Sequence, residues 1–359
     1  MSGTVEGSAY GWFMTAVGAP LERRVLSATP PGPGEARIAV AGCGVCHTDL
    51  SFLVQGVKTR HGPPLVLGHE ISGVVREVGA GCSPELIGRP VIVPAVLPCG
   101  ECELCRADRR TICRQQVMPG NDRDGGFASH VVVPARFLCP VPPEVLDRHE
   151  LWELAVVSDA VATPFQAVRR SDLARGELTL FVGVGGIGLY GVQIAAAVGA
   201  VVIALDVDDA KLRQAEAAGA RATLNVAGLA AKEVRRQVRE LVASVGASAH
   251  LWKIFETSGT PAGQETAYGL LGFGASLSVV GYTPERLDLC LSNLMAFDAA
   301  VRGNWGADPL LYEEVLRWLA EGRIQVRPYV ERRPLSRINE VIADAHRGTL
   351  QRRVVLVPD

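Results

Sequence analysis

Leu178-Thr179-Leu180-Phe181-Val182-Gly183-Val184-Gly185-Gly186-Ile187-Gly188 is the stretch on which the fold turns. A short run of strand-forming residues ends in a G-x-G-x-x-G pattern, and a helical stretch opens directly after it. The first glycine, Gly183, permits a tight turn, and Gly185 lets backbone approach a pyrophosphate. Gly188 allows a helix to pack close against the strand, while the helix N-terminus attracts the anion across Gly186 and Ile187. The next apolar run, 201–205, ends in Asp206, 18 positions past Gly188. A carboxylate there accepts hydrogen bonds from a ribose 2′-OH and repels a 2′-phosphate, which favours NAD over NADP.

Working outward, strand and helix alternate after about Ser158. Further strands are expected at 251–255 and 276–280, and helices at 210–218 and 232–245. That rhythm implies a parallel, doubly wound α/β sheet of Rossmann type. Before it, from Arg37 to about Pro140, short apolar strands at 38–41, 74–75, 91–93 and 131–133 are separated by Gly and Pro, the pattern of a compact β region. The last 60 residues mix helices at 309–321 and 339–347 with a final strand Arg353–Val357, which suggests a return to the first domain. The predicted division is 1–158 for a catalytic domain, 159–300 for the dinucleotide domain and 301–359 for the return. A length of 359 residues suits two domains.

Lys plus Arg number 36 against 38 Asp plus Glu, a net charge of −2 that gives no general pull toward nucleic acid or an anionic membrane surface. Hydrophobic residues at 48% and charged ones at 21% describe a folding, globular chain. Residues 1–6 lack a signal-peptide pattern, so the cytoplasm is the expected compartment. The uncharged run 180–205 is long enough to cross a bilayer, but six glycines interrupt it. Strand, turn, helix and strand of a buried sheet is the better reading.

Nine cysteines in a reducing compartment point to metal rather than disulfides. Cys99-x-x-Cys102-x-x-Cys105, followed by Cys113, offers four thiolates within 15 residues, the closed tetrahedral set of a structural zinc. Arg106, Arg109, Arg110 and Arg114 flank it, but Glu101, Glu103 and Asp108 dilute any nucleic-acid-binding patch. A second, dispersed constellation is Gly44-Val45-Cys46-His47-Thr48-Asp49 together with Gly68-His69-Glu70. Each half alone is a weak signal.

Taken together and in this order, these motifs, with Asp206, Lys211, Val280-Gly281 and Arg353, resemble the zinc-containing medium-chain alcohol dehydrogenases nearly from end to end. The resemblance implies a chaperonin-10-like β-barrel catalytic domain with a structural zinc lobe, beside the Rossmann domain. It implies two zincs per chain and NAD. Cys46 and His69 become ligands of a catalytic zinc, Thr48 passes the substrate proton, Asp49 supports His69, and Glu70 is a nearby acid. Lys211 and Arg353 are implied to hold the ribose and pyrophosphate, with Gly281 and His47 as further cofactor contacts.

Two departures stand out. The third zinc ligand of most relatives is a cysteine, and Asp159 stands in its place, a harder and less donating ligand of equal charge. Ser51 stands where many relatives carry the histidine that ends the proton relay, and serine does not titrate near neutral pH. Within the family, 11–15 and 159–164 look most like the 6-hydroxycyclohex-1-ene-1-carbonyl-CoA dehydrogenases. The partner expected is therefore a small-molecule alcohol, with a CoA thioester as the specific form and Lys58, Arg60, Arg123, Arg332 or Arg333 as candidate phosphate contacts. A generic alcohol or polyol without CoA is the alternative. Neither nucleic acid nor membrane is expected, and a homo-oligomer, dimer or tetramer, is.

Overall fold

A computed structural model describes residues 9–27 and 30–359; the stretch 1–6 read above for targeting lies outside them. The chain divides into two compact units. One ends at Asp159 and resumes over Ala307–Ala320 and Gln325–Asp359; the other comprises Ala160–Gly306 and Glu321–Ile324.

The second unit is built on six parallel strands. Their order is Ala222–Asn225, Val201–Asp206, Leu178–Val182, Lys253–Glu256, Ser276–Val279 and Ala300–Gly303. Numbered along the chain this is 3-2-1-4-5-6, the doubly wound dinucleotide order, whose direction reverses beside Leu178–Val182. Every residue of that strand is buried, as a central parallel strand covered on both faces requires. Phe181 stacks on Phe255 at 4.7 Å. Helix Ala231–Ser244 buries Val234, Val238 and Val242, a stripe at four-residue spacing.

Three expectations need correcting. The dinucleotide unit does not stop at 300, because Ala300–Gly303 pairs with Ser276–Val279 and carries the boundary to Gly306. The strand expected from 251 begins at Lys253, since Leu251 has φ +61°, a left-handed conformation no strand accommodates. The helix expected over 309–321 is a 3-10 turn, Pro309–Leu311, that leads into helix Tyr312–Ala320. The run 180–205 contains helix Gly188–Val198 between two strands, and among the described residues no helix is long and apolar enough to cross a membrane.

In the first unit, strand Glu35–Gly44 is the hub of a seven-stranded sheet. It pairs antiparallel with Glu70–Val78, His130–Pro134 and Arg353–Val357. Register breaks at Arg37/Ile38 and Val40/Gly42 mark bulges, which bend a sheet around its own core. That core includes Ile38, Leu65, Ile71, Val91, Phe127, Val133 and Leu356, all fully buried. The return of the chain therefore adds Arg353–Val357 directly beside the strand that leads to Cys46.

Candidate metal and dinucleotide sites

Strand Glu35–Gly44 delivers the chain to Cys46, which caps the short helix His47–Leu53. The Asp49 carboxylate closes that first turn by accepting from Cys46 N at 3.0 Å through Oδ2. Its Oδ1 accepts from Gly68 N at 3.2 Å and faces His69 Nδ1 at 3.4 Å. One buried acid thus ties the two halves of the dispersed motif together. Gly68 has φ +96°, and a Cβ there would lie 2.7 Å from Cys43 Sγ, so only glycine lets the loop bring His69 up to Cys46.

The third member arrives from the 3-10 helix Leu151–Ser158. Asp159 Oδ2 lies 3.6 Å from His69 Nε2 and 3.9 Å from Cys46 Sγ. Ligands on a tetrahedral zinc at ordinary bond lengths stand about 3.4 Å (N to O) and about 3.6 Å (S to O) apart, so Asp159 needs only a few tenths of an ångström of closure on each of its two partners. What fixes Asp159 is its neighbour. Ser158 Oγ accepts from Ile71 N at 3.0 Å and donates to Ile71 O at 2.9 Å, pinning the helix to the strand that begins at Glu70. The buried Tyr312 hydroxyl donates to Ser158 O as well.

The electrostatics suit a cation. Burial works against a charged His69, yet the Asp49 charge and hydrogen bonds with Asp159, Asp49 and Cys46 outweigh it and hold its pKa well above the usual value. A fully buried imidazole among two carboxyl groups and a thiol is a donor set suited to a divalent ion. Glu70 lies beside this set, one ligand atom within 4.8 Å of the others. Its carboxylate accepts from Arg353 Nε at 2.8 Å and Nη2 at 2.5 Å. Burial pushes the Glu70 carboxyl up, and Arg353 pulls it back only in part. Arg353 is itself buried, with two of its donors committed to Glu70.

Thr48 Oγ1 is 3.7 Å from Cys46 Sγ and partly exposed. Ser51 Oγ donates to His47 O at 3.0 Å, a bond back along its own helix, while His47 is exposed.

The four-cysteine lobe closes on itself. Sulfur separations are 3.5 Å for Cys102–Cys105 and for Cys99–Cys113, 3.7 Å for Cys102–Cys113 and 3.9 Å for Cys99–Cys105. About 3.8 Å is the edge of a tetrahedral zinc–thiolate site. The backbone amides of Glu101 and Cys102 lower the Cys99 thiol to about 6, so it is a thiolate at neutral pH. All nine cysteines are free thiols.

In the other unit, Gly183 turns at φ +86° with Ser258 so close that a Cβ would lie 2.5 Å from it. A Cβ at Gly188 would meet Gly183 O at 2.0 Å, whereas one at Gly185 would meet no protein atom within 4 Å. Backbone there is bare and open, with Gly186 and Ile187 leading into helix Gly188–Val198, as a pyrophosphate requires. Asp206 is buried and braces the loop: Oδ2 accepts from Val184 N at 2.8 Å, and Oδ1 from Val207 N at 2.8 Å and Asp208 N at 3.1 Å. Lys211 stands partly buried in the first turn of helix Asp209–Ala217. Gly281 follows strand Ser276–Val279 and donates to Glu256 O.

Sequence reasoning missed Ser158, Tyr312 and Thr257, whose hydroxyl donates to Gly183 O. Each acts on a partner more than 70 positions away, and no spacing rule announces that. Of the five cations expected at a CoA ester, Arg60 pairs with Asp122, Arg123 with Glu35, and Arg333 with Glu331 and Asp344.

The alcohol dehydrogenase GroES-like domain family matches residues 32–143, and the zinc-binding dehydrogenase family matches 186–321. An alcohol dehydrogenase of Geobacillus stearothermophilus is 30% identical over 341 residues, 95% of this chain and 97% of that protein. The alcohol dehydrogenase of the archaeon Aeropyrum pernix matches with a TM-score of 0.86 at 28% identity, over 97% of this chain and 100% of that one. Acetophenone reductase from Geotrichum candidum, solved in complex with NAD, matches with a TM-score of 0.83 at 25% identity, over 99% and 98% of the two chains.

Proposed function

Because the chain belongs to the zinc-dependent alcohol dehydrogenases, we propose that it oxidises 6-hydroxycyclohex-1-ene-1-carbonyl-CoA to the 6-oxo ketone, with NAD as acceptor, in anaerobic breakdown of aromatic acyl-CoA. The class of activity is that of the family: an NAD-dependent zinc alcohol dehydrogenase acting on a CH–OH group. The observation that carries the site is the convergence of Cys46, His69 and Asp159 within ligand reach. These three residues are assigned the catalytic zinc, and Cys99, Cys102, Cys105 and Cys113 the structural one. When bound, zinc supplies a Lewis acid that lowers the hydroxyl pKa, and NAD accepts the hydride.

The chain's own residues do the rest. Thr48 Oγ1 takes the hydroxyl proton, and Asp49 fixes the His69 ring so that Nε2 faces Asp159 and Cys46. Ser51, bonded to His47 O, ends no relay, so as Thr48 Oγ1 accepts the substrate proton its own proton would pass to the nicotinamide ribose hydroxyl and on to water. Glu70 balances Arg353 beside the donor set. The Gly183–Gly188 loop takes the pyrophosphate and Asp206 the ribose, with Lys211, Gly281, His47 and Arg353 as further cofactor contacts. The free thiols suit the cytoplasm, and the working form is a dimer or tetramer of identical chains.

The CoA ester rests on the text of 11–15 and 159–164. A second reading, an alcohol or polyol without CoA, is supported by the ion pairs that occupy Arg60, Arg123 and Arg333. NADH formation with hydroxycyclohexenyl acyl-CoA against free cyclohexanols separates the two. Turnover of the acyl-CoA alone supports the first reading, and equal turnover of the free alcohols overturns it. Turnover of no alcohol, in protein holding two zincs, would overturn both.

A further inference from the structure

At the end of the Leu151–Ser158 helix opposite Asp159 lies a pocket of about 570 Å³, lined by residues of the first unit alone. Leu146, Leu151, Val357 and Trp152 supply the apolar part of its lining. Three arginines line it. Arg327 is held by the buried Glu153 through Nε at 2.7 Å and Nη2 at 3.2 Å. Arg148 and Arg332 are exposed, and their side chains form no ion pair or hydrogen bond among the described residues. The lining also carries two acids, Asp147 and Glu150, of which Glu150 is engaged by Trp152 Nε1 at 2.8 Å.

A second, independent feature is His149. Its side chain is 9% exposed, it lines the same pocket, and its buried Nδ1 has no hydrogen-bond partner. The nearest acid oxygen, Glu153 Oε2, is 3.6 Å away and already accepts from Arg327 and from Glu150 N at 3.0 Å. An orphaned buried nitrogen costs stability unless something bonds to it.

We propose that this pocket is a binding site for a small aromatic anion, with the ring against Trp152 and the charged group held by Arg148 and Arg332. Two guanidiniums without side-chain partners, in one lining with an indole and aliphatic residues, match a flat body that carries a carboxylate or phosphate. The shared chemistry covers an aryl carboxylate and a nucleoside monophosphate, and the probes below tell them apart. The site is independent of the alcohol chemistry, because none of its residues belongs to the donor set or the glycine loop.

The test is calorimetric titration of the two-zinc enzyme, saturated with NAD and pyrazole so that cofactor and alcohol sites are filled, with benzoate, adenosine 5′-monophosphate or inorganic phosphate. Binding of one ring-bearing anion at one site per chain, at least about tenfold tighter than phosphate, is expected. Arg148→Gln and Arg332→Gln should each weaken it about tenfold, and Trp152→Leu should abolish the preference for the ring. NADH affinity reports that each variant is folded. Absence of binding by both aromatic anions up to about 10 mM, equal affinity for phosphate, or indifference to both arginine substitutions would overturn the proposal.

Discussion

Ser158→Ala isolates the device that holds Asp159 in place. The Ser158 hydroxyl is fully buried and exchanges two hydrogen bonds, 3.0 and 2.9 Å, with the peptide groups of Ile71, also fully buried. Removing it leaves a buried N–H and C=O short of a partner, at about 1–3 kcal/mol each, so a loss of about 2–6 kcal/mol is expected. For a unit of about 200 residues that is a fall of about 4–24 °C in Tm. The adjoining residue is Asp159, and its carboxylate loses the anchor that keeps it near His69 Nε2. Affinity for one of the two zincs should therefore drop about 10–100-fold, the usual effect of losing an orienting partner, while the second zinc is retained. Calorimetry gives the stability, and competition with a chromophoric chelator gives the metal affinities. A variant that melts lower yet binds both zincs as tightly as the wild type would show that the Ser158 link serves the fold and not the metal.

Other substitutions read other parts of the molecule. Glu70→Ala strands the buried Arg353 guanidinium and should cost about 3–5 kcal/mol in urea unfolding, largely restored by adding Arg353→Met; a loss below about 1 kcal/mol would refute a committed pair. Asp206→Ala should lower the NAD-to-NADP ratio of kcat/KM about 10–100-fold and raise the KM for NAD, because Val184 N loses its acceptor; an unchanged ratio removes Asp206 from cofactor choice. Burial, with Arg327 and Arg148, keeps the His149 pKa below its ordinary value despite Glu153. The unfolded chain then takes up that proton first as pH falls, so stability is full above about pH 6.5 and declines below it. Equilibrium unfolding of His149→Gln should show a flatter profile between about pH 6.5 and 5, and an unaltered slope would place the titration elsewhere.

What could be read in advance was what is local. Strand Leu178–Val182 and the turn after it are written in consecutive residues, and the four cysteines sit close enough for spacing alone to announce a metal. Asp159 could be picked out only through the resemblance, since nothing in its own neighbourhood distinguishes it from an ordinary surface acid. Ser158 and Tyr312 were silent because their work is done across the fold, on partners 87 and 154 positions away. Ala300–Gly303 escaped notice for a different reason. All four residues are exposed, so this outermost strand carries no alternation and no apolar run to betray it.

The two sets of side chains that could hold a metal ion differ in how far along the chain they must be gathered. Cys99 and Cys113 are 14 positions apart, whereas Cys46 and Asp159 are separated by 113. Closing the short loop is entropically cheap, so the lobe can capture its ion while the rest of the polypeptide is still unstructured. The other ion must wait until the hub strand, its neighbours and the returning carboxy-terminal segment have all docked. Zinc uptake by a refolding chain should accordingly come in two phases, an early one that reports a nascent loop and a late one that reports completed tertiary assembly.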